Sequence, residues 1–422
     1  MDTAIVRKIA ADCFRWDAID YPRSDILTIA HDTDRSLLVD GKWYSPLIDT
    51  IEDDLRARGI ECVSVARIAS RIKGAIAHGR VYSPDGQFAR ALLGKRVKAA
   101  LSRRGYPYSR MEESVWARIV DRVRPTKLFG IQPSRELCTV CKQRGIWVAD
   151  VQHGIIGEAH PWYGEEFRRA DPPAQVPDAF LCWDNTSAAV IDAWAGAQGA
   201  ATVTIGNRWL ARFLDFDPRD ALVNRLNEEF ESSEREADSR PAILVALSWG
   251  EVNIPNGFIV DGLRDAIRST SDRYRWHIRL HPNQVAGFAS DEGKRFIGYF
   301  NEQLRGHAEW EAATRSALPV VLAHSDLVIS WNSSVSIEAT QMGIPSAQLD
   351  PRFRSGEFAV DNYADYRKGG LIELVEESSA SIQQWAANRT GLKRASESLD
   401  AYDDSYDRLL NFLAGNEATC TA

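Results

Sequence analysis

Nowhere in the 422 residues does an apolar run approach the roughly 18 residues that a membrane-spanning helix needs. Residues 1–11 are short, mixed and acidic, which does not fit a secretory signal. An excess of basic charge is missing too. With 51 Lys and Arg against 59 Asp and Glu the net charge is −8, whereas a nucleic-acid binder carries a basic face. The six cysteines (Cys13, Cys62, Cys138, Cys141, Cys182 and Cys420) are scattered, as suits reduced thiols in a cytoplasm. Cys138 and Cys141 form a CxxC, but no second pair and no His pair at ligand spacing accompanies it. Their context, SRELCTVCKQRGIW, reads as an amphipathic helix followed by a strand, so both thiols are expected on a buried helix face rather than on zinc. There is no repeat of fixed period and no low-complexity tract.

What is present is the composition of a folded, soluble protein, 44% hydrophobic and 26% charged. The length exceeds what one core serves, so two domains are expected. Strand-like and helix-like stretches alternate almost throughout, which implies parallel strands with crossover helices on both faces. ILTIA (26–30), ECVSVA (61–66), 127–131, 146–151, AFLCW (179–183) and TVTIG (202–206) read as strands, separated by helices near 47–58, 111–123, 134–144 and 187–195. A basic helical stretch, 94–104, reads as a solvated face or, if functional, a contact for anionic lipid or polymer. Residues 231–240 lack apolar periodicity and mark a linker or the tail of a helix. After them AILVALS, WHIRL, PVVLA, LVIS and PSAQL read as strands of a second α/β unit, with helices near 257–269 and 291–304. The division expected is 1–205, 206–378, and a helical tail 379–422 that packs back on the first domain.

In doubly wound folds ligands sit beyond the carboxyl ends of strands, near the points where strand order reverses. The polar clusters of this chain lie there. LVIS (327–330) ends in Trp331-Asn332-Ser333-Ser334 and opens into a helix, a geometry that can hold phosphate. Ser333 and Ser334 can donate to phosphate oxygens or cap the helix. Glu338, four residues past Ser334 on the same face, can accept from ribose hydroxyls or face solvent. WHIRL (276–280) leads into His281-Pro282-Asn283, with Pro282 ending the strand. Arg279 and His281 share a face and offer charge and N–H groups to phosphate; for Arg279 the alternative is a surface ion pair. These two clusters together suggest a site for a nucleotide mono- or diphosphate joined to something small. In the first half Gln152-His153-Gly154 follows WVADV, with Glu158 and His160 close behind. An imidazole, with an ordinary pKa near ~6.5, suits proton abstraction at neutral pH, whereas the structural alternative has His153 capping a turn. Gly154 is read as allowing tight backbone geometry. His31-Asp32-Thr33-Asp34 ends ILTIA, and its carboxylates, Asp34 and Asp32, are rival bases. Asp32 and Asp34 have Asp-x-Asp spacing, but not the context of a metal pair. Asn207, after Gly206, is expected to line the cleft between the domains.

Taken together these residues resemble inverting glycosyltransferases of the two-Rossmann-domain type, GT-B, that build bacterial capsules, lipopolysaccharide and other surface polymers. His281-Pro282 followed by Ser333-Ser334 looks like the donor signature of CMP-sugar-dependent sialyl-, polysialyl- and Kdo-transferases, and is similar to that of CDP-glycerol polymerases of teichoic acid synthesis. Ser333, Ser334, Glu338, Ala339, Gly343 and Pro345 match a nucleotide-ribose pattern of many GT-B enzymes, and Gln152-His153-Gly154 resembles the Gln-His-Gly loop of capsule and teichoic-acid enzymes. The sialyltransferase Asp/Glu-Asp-Gly motif has no good copy; Asp32-Thr33-Asp34 and Val39-Asp40-Gly41 come nearest. The resemblance implies a GT-B-like α/β fold, two doubly wound Rossmann-type domains facing a cleft with a C-terminal helical tail. It also implies a metal-independent direct displacement. His153, Glu158, Asp34 or Asp32 deprotonates an acceptor hydroxyl, with His160 and Asn207 near the acceptor. Arg279, His281, Pro282, Asn283, Ser333, Ser334 and Glu338 hold the donor. No cofactor is expected beyond the nucleotide-sugar co-substrate. The partners are that donor and a glycan or glycolipid acceptor, not nucleic acid, at a cytoplasmic site that can touch the inner membrane face. A UDP-N-acetylglucosamine 2-epimerase is the rival enzyme, sharing His-Pro-Asn at 281–283 but carrying a Gly-Gly turn where this chain has Ser333-Ser334. A non-catalytic binding protein of the same fold is the rival outside enzymes.

Overall fold

The structure is a computed structural model. It describes residues 19–420 except 67–69, 71, 103–107, 159, 161, 166–170, 215–216, 234–237, 250–253, 255–256, 286–290, 357–361 and 397–398. The chain forms two units, one of residues 1–208 with 400–422, the other of residues 209–399. Cys13 lies outside the described residues.

The first unit is built on β1 (Ile26–Ala30), a hairpin of β2 (Leu37–Val39) and β3 (Lys42–Tyr44), β4 (Cys62–Ala66), β5 (Val81–Tyr82), β6 (Lys127–Gly130), β7 (Trp147–Val151), β8 (Ala179–Cys182) and β9 (Ala201–Thr204). Apart from the hairpin these strands make one parallel sheet, in the order β5-β4-β1-β6-β7-β8-β9. Unbroken apolar runs such as ILTIA suit it, because a parallel sheet is covered on both faces. Alternate residues feed two cores. Ile26, Ala30, Phe129 and Val151 pack with the helices Ile48–Ala57 and Asp403–Leu413. Leu27, Ile29, Leu128 and Val148 pack with Arg110–Val123 and Arg135–Gln143. Cys138 and Cys141 are both fully buried in the second core. Asp40 and Gly41, at φ +50° and +71°, form the two-residue turn of the hairpin, where the sequence reads as a polar loop.

The second unit holds β10 (Ala242–Ala246), β11 (Arg275–Arg279), β12 (Leu327–Ser330), β13 (Ser346–Gln348) and β14 (Ile372–Leu374), all parallel, in the order β11-β10-β12-β13-β14. PVVLA, expected as a strand, lies in a helix, Leu318–Ala323. A short apolar run fits a buried helix as well as a strand, and Pro319 in the first turn is a helix-start signal. The 379–422 segment yields two helices that belong to different units. Ser379–Arg389 buries Ile382, Trp385 and Ala386 in the core of the second unit, and Asp403–Leu413 completes the first. The basic stretch lies at the end of the helix Asp85–Ser102. Lys95 is not solvated there: its ammonium pairs with Glu112 at 2.6 Å and Glu136 at 2.9 Å, because these carboxylates of neighbouring helices are themselves buried. The side chains of Arg96, Lys98, Arg103 and Arg104 lie outside the described residues. No helix among the described residues is long and apolar enough to cross a membrane.

Candidate functional site

Strand order reverses once in each sheet, between β1 and β6 in the first unit and between β10 and β12 in the second. Such a reversal leaves a crevice beyond the carboxyl ends of the two strands, because their crossovers leave to opposite sides.

In the second unit the loops after β10, β11 and β12 meet at that edge. The Ser248 hydroxyl donates to the Asn332 carbonyl at 3.0 Å and accepts from the Asn332 N–H at 3.3 Å, which ties the loop after β10 to the serine turn. Trp249, 54% exposed, lies over the His281 ring with planes at 21° and centroids 6.4 Å apart. Pro282 opens the short helix Pro282–Val285, where its missing N–H costs nothing. His281 is fixed by two contacts, one of them braced in turn. Its N–H donates to Gln284 Oε1 at 2.8 Å, its Nδ1 accepts from the Asn283 N–H at 3.1 Å, and Gln284 in turn donates to Glu292 at 2.9 Å. Burial brings the His281 pKa down to about 4, opposed by Glu292 and aided by Arg279. The ring is therefore neutral at pH 7, and with Nδ1 accepting, its proton sits on Nε2.

Ser334 stands at the start of the helix Val335–Gln341 without capping it, and its hydroxyl bonds no described residue. Ser333 Oγ accepts from the Val335 N–H at 3.4 Å. Glu338 is buried rather than solvent-facing. Arg279 is half-buried and turned onto protein: its Nη1 donates to the carbonyls of Ala313 and, at 2.8 Å, Ser316. Burial lowers its pKa to about 10, with the Glu338 charge opposing, so these two residues interact electrostatically. A narrow pocket reaches beneath this edge, lined by Ser248, Phe258, Val260, Ser330, Trp331 and Leu349 among others.

In the first unit the Gln152-His153-Gly154 loop leaves β7. Gln152 is a clamp: its Oε1 accepts from the Trp183 N–H at 2.7 Å, and its Nε2 donates to Gly154 O at 2.9 Å and to Ser187 Oγ at 3.0 Å. Gly154 is outside the left-handed region and a Cβ there would meet nothing, so the loop does not depend on a glycine. His153 Nδ1 lies 2.8 Å from the Tyr163 hydroxyl. Tyr163 is 1% exposed, held against Phe180, with its carbonyl accepting from the Trp194 indole at 3.0 Å. The His160 ring faces the same tyrosine at 4.8 Å, and its Nδ1 accepts from the Trp162 N–H at 3.1 Å. Burial alone brings His160 down to about 4, which makes it a poor base at neutral pH. Glu158 is exposed on the turn before it. The Trp162 indole donates to Asp150 Oδ2 at 2.5 Å, and Asp150 Oδ1 accepts from the Gln132 N–H at 2.9 Å, so the ends of β6 and β7 are joined through a buried carboxylate.

The Asp32–Asp34 turn follows β1, with β6 between it and β7. Asp34 Oδ2 accepts from the His31 N–H at 2.7 Å, and Asp32 accepts from the Ser70 hydroxyl. Asp34 thus shapes its own turn, whereas Asp32 ties that turn to the loop after β4. Asn207, after β9, is buried. Among the described residues no three His, Cys, Asp or Glu side chains group as a metal would require. The residues that sequence reading missed are Tyr163, Asp150, Gln132, Ser248 and Trp249. Trp249 carried a signal, an aromatic directly after the AILVALS strand, and Gln132 another, a strand end leading into proline.

No family model and no curated protein matches the chain. Its fold is nonetheless found in solved structures. The wall teichoic acid polymerase TagF superposes with a TM-score of 0.59 at 10% identity, covering 98% of this chain and 94% of that one. A UDP-GlcNAc 2-epimerase from Methanocaldococcus jannaschii gives 0.56 at 10% identity, covering 92% and 99%. The UDP-GlcNAc 2-epimerase from Neisseria meningitidis, bound to UDP-GlcNAc, gives 0.51 at 13% identity, covering 92% and 94%. At these identities the likeness establishes the fold alone: two Rossmann-type units, GT-B-like.

Proposed function

We propose that the protein is an inverting glycosyltransferase of the GT-B type that needs no metal. It moves a sugar from a nucleotide-sugar donor, CMP-linked by preference, to a surface-polysaccharide or glycolipid acceptor. The observation that carries the reading is His281: a neutral imidazole with its proton on Nε2, at the switch point of the second unit, on the same edge as Ser333 and the unengaged Ser334 hydroxyl. Such a group donates to a departing phosphate without adding a charge that would bind the ground state equally. Glu338 would take the ribose hydroxyls. Arg279, whose Nη1 is committed to carbonyls, would act through its field more than through a direct fork. In the first unit His153 would be the base. In the tautomer whose Nδ1–H donates to the Tyr163 oxygen, the Nε2 lone pair would take the acceptor's proton as its oxygen attacks the anomeric carbon. The reading places the protein in the cytoplasm, meeting a lipid-linked acceptor at the inner membrane face.

A second reading, a sugar-nucleotide epimerase, is favoured by the epimerase neighbours, one of which is bound to UDP-GlcNAc. Two experiments separate the outcomes. Thermal unfolding against CMP, CDP, UDP, GDP and ADP reports the nucleotide; a ligand at 100 times its Kd stabilises by ~2.7 kcal/mol. Incubation with donor alone then decides the class: an epimerised product without acceptor excludes the transferase. No shift with any nucleotide excludes both.

A further inference from the structure

The loop after β6 holds a backbone conformation that its sequence disfavours. Gln132 lies at φ +48°, in the left-handed region, which glycine, asparagine and aspartate enter at low cost and glutamine does not. It also precedes Pro133, whose ring biases the preceding residue toward extended backbone. The surroundings impose the conformation. Buried Asp150 takes the Gln132 N–H at 2.9 Å, and the Ile131 N–H donates to the Ile29 carbonyl at 3.2 Å. A strained residue held by its neighbours marks a place where side-chain position outweighs backbone ease.

That place is the switch point of the first unit. β6 stands between β1, which leads to Asp32 and Asp34, and β7, which leads to His153. The Gln132 side chain is half-exposed, and its carboxamide bonds no described residue although the peptide behind it is fixed. A carboxamide offers two donors and one acceptor without charge. It therefore suits adjacent hydroxyls, each donor and acceptor at once, better than it suits a phosphate.

We propose that Gln132 is a ligand-contacting residue that sets specificity, its carboxamide pairing with neighbouring hydroxyls of the sugar or polyol bound at the first unit. The proposal rests on the transferase reading for the reaction but not for the contact, and the tests separate the two. Gln132→Gly removes the carboxamide and relieves the backbone; Gln132→Asn keeps a shorter carboxamide and tolerates the conformation. In the full chain, saturation-transfer NMR with N-acetylglucosamine and with glycerol as probes reads the contact directly. Wild type should show transfer to at least one probe, reduced about tenfold in the glycine variant, as expected for one lost neutral hydrogen-bond pair. The asparagine variant should fall between them. The glycine variant should melt no lower than wild type, and the CMP, CDP and UDP shifts should be unchanged in all three. Equal transfer in wild type and the glycine variant, or none in wild type, overturns the proposal whatever the nucleotide panel gives. Nucleotides that fail to bind wild type overturn the transferase reading instead, and leave the NMR comparison to decide on Gln132.

Discussion

At neutral pH the imidazoles of His160 and His281 carry no charge, because burial brings each down to about 4 from the ordinary 6.5. A histidine depressed in this way contributes stability that is complete above 6.5 and is lost as pH falls toward 4, since the unfolded chain takes up the proton first. The melting temperature is expected to drop steadily below pH 6.5, and the H160Q/H281Q double variant should flatten that slope. An unchanged slope would place the acid sensitivity elsewhere. Glu52 works in the opposite sense. Burial first, and the charge of Asp49 second, raise its pKa to about 7 from 4.5, while its Oε1 accepts from Thr28 Oγ1 at 2.5 Å. Its contribution is complete below pH 4.5 and lost as pH rises through 7. E52Q should therefore gain on wild type between urea midpoints measured at pH 5 and at pH 8. Tyr163→Phe deletes the hydroxyl that orients His153 and keeps the ring; turnover should fall about tenfold to a hundredfold, with nucleotide binding intact. A phenylalanine variant as active as wild type would remove Tyr163 from the mechanism. The placement of His153, His281 and the serine pair just past strand ends was legible in the sequence because each stands where an apolar run stops. Tyr163 and Asp150 were not, because their partners lie on other elements and nothing in local spacing reveals a hydrogen bond made by folding. The same limit hid the burial of Glu338 and the carbonyls that occupy Arg279.

At the scale of elements, Gly130 shows how closely β1 and β6 lie at the first reversal. A Cβ on it would fall 2.2 Å from Ile29 Cγ1 and 2.3 Å from the Ile29 carbonyl oxygen. Backbone cannot step aside as a side chain tip can, so G130A should cost roughly 1–3 kcal/mol or more, read as a lower urea midpoint. An alanine variant as stable as wild type would show that the strands can part without loss. Long apolar strands such as β1 and β10 were legible because burial on both faces leaves an unbroken run of apolar residues. β5, of two residues, and β14, of three, leave too little pattern to read. The hairpin turn at Asp40-Gly41 carried its signal openly, yet its neighbours Lys42 and Trp43 look like loop residues when a binding role is sought for them. PVVLA misled because five apolar residues fit either period.

For the whole molecule the decisive element is the helix Asp403–Leu413. Leu409, Leu410 and Leu413 are buried in the first core, the Tyr406 hydroxyl donates to Asp54 at 2.5 Å, and the Arg208 guanidinium lies 4.2 Å from the Tyr406 ring. Leu409→Ala should cost about 2–5 kcal/mol in the first unit. Calorimetry should show the transition of that unit moving while that of residues 209–399 stays; a single transition that moves as a whole would mean that the units unfold together.

The return of the chain to its first sheet also has a consequence for how the protein is made. Residues 209–399 are continuous and can fold as soon as they emerge, whereas the face of the first sheet that receives Leu409 and Leu413 waits until residues 403–413 have emerged. Between Arg208 and Leu413 lie about 205 residues, so at ~5–20 residues per second that face stays uncovered for roughly 10–40 s on the ribosome. The first unit thus begins before the second and is completed after it, and a nascent chain stalled short of residue 400 would carry a sticky apolar sheet, a natural target for chaperones.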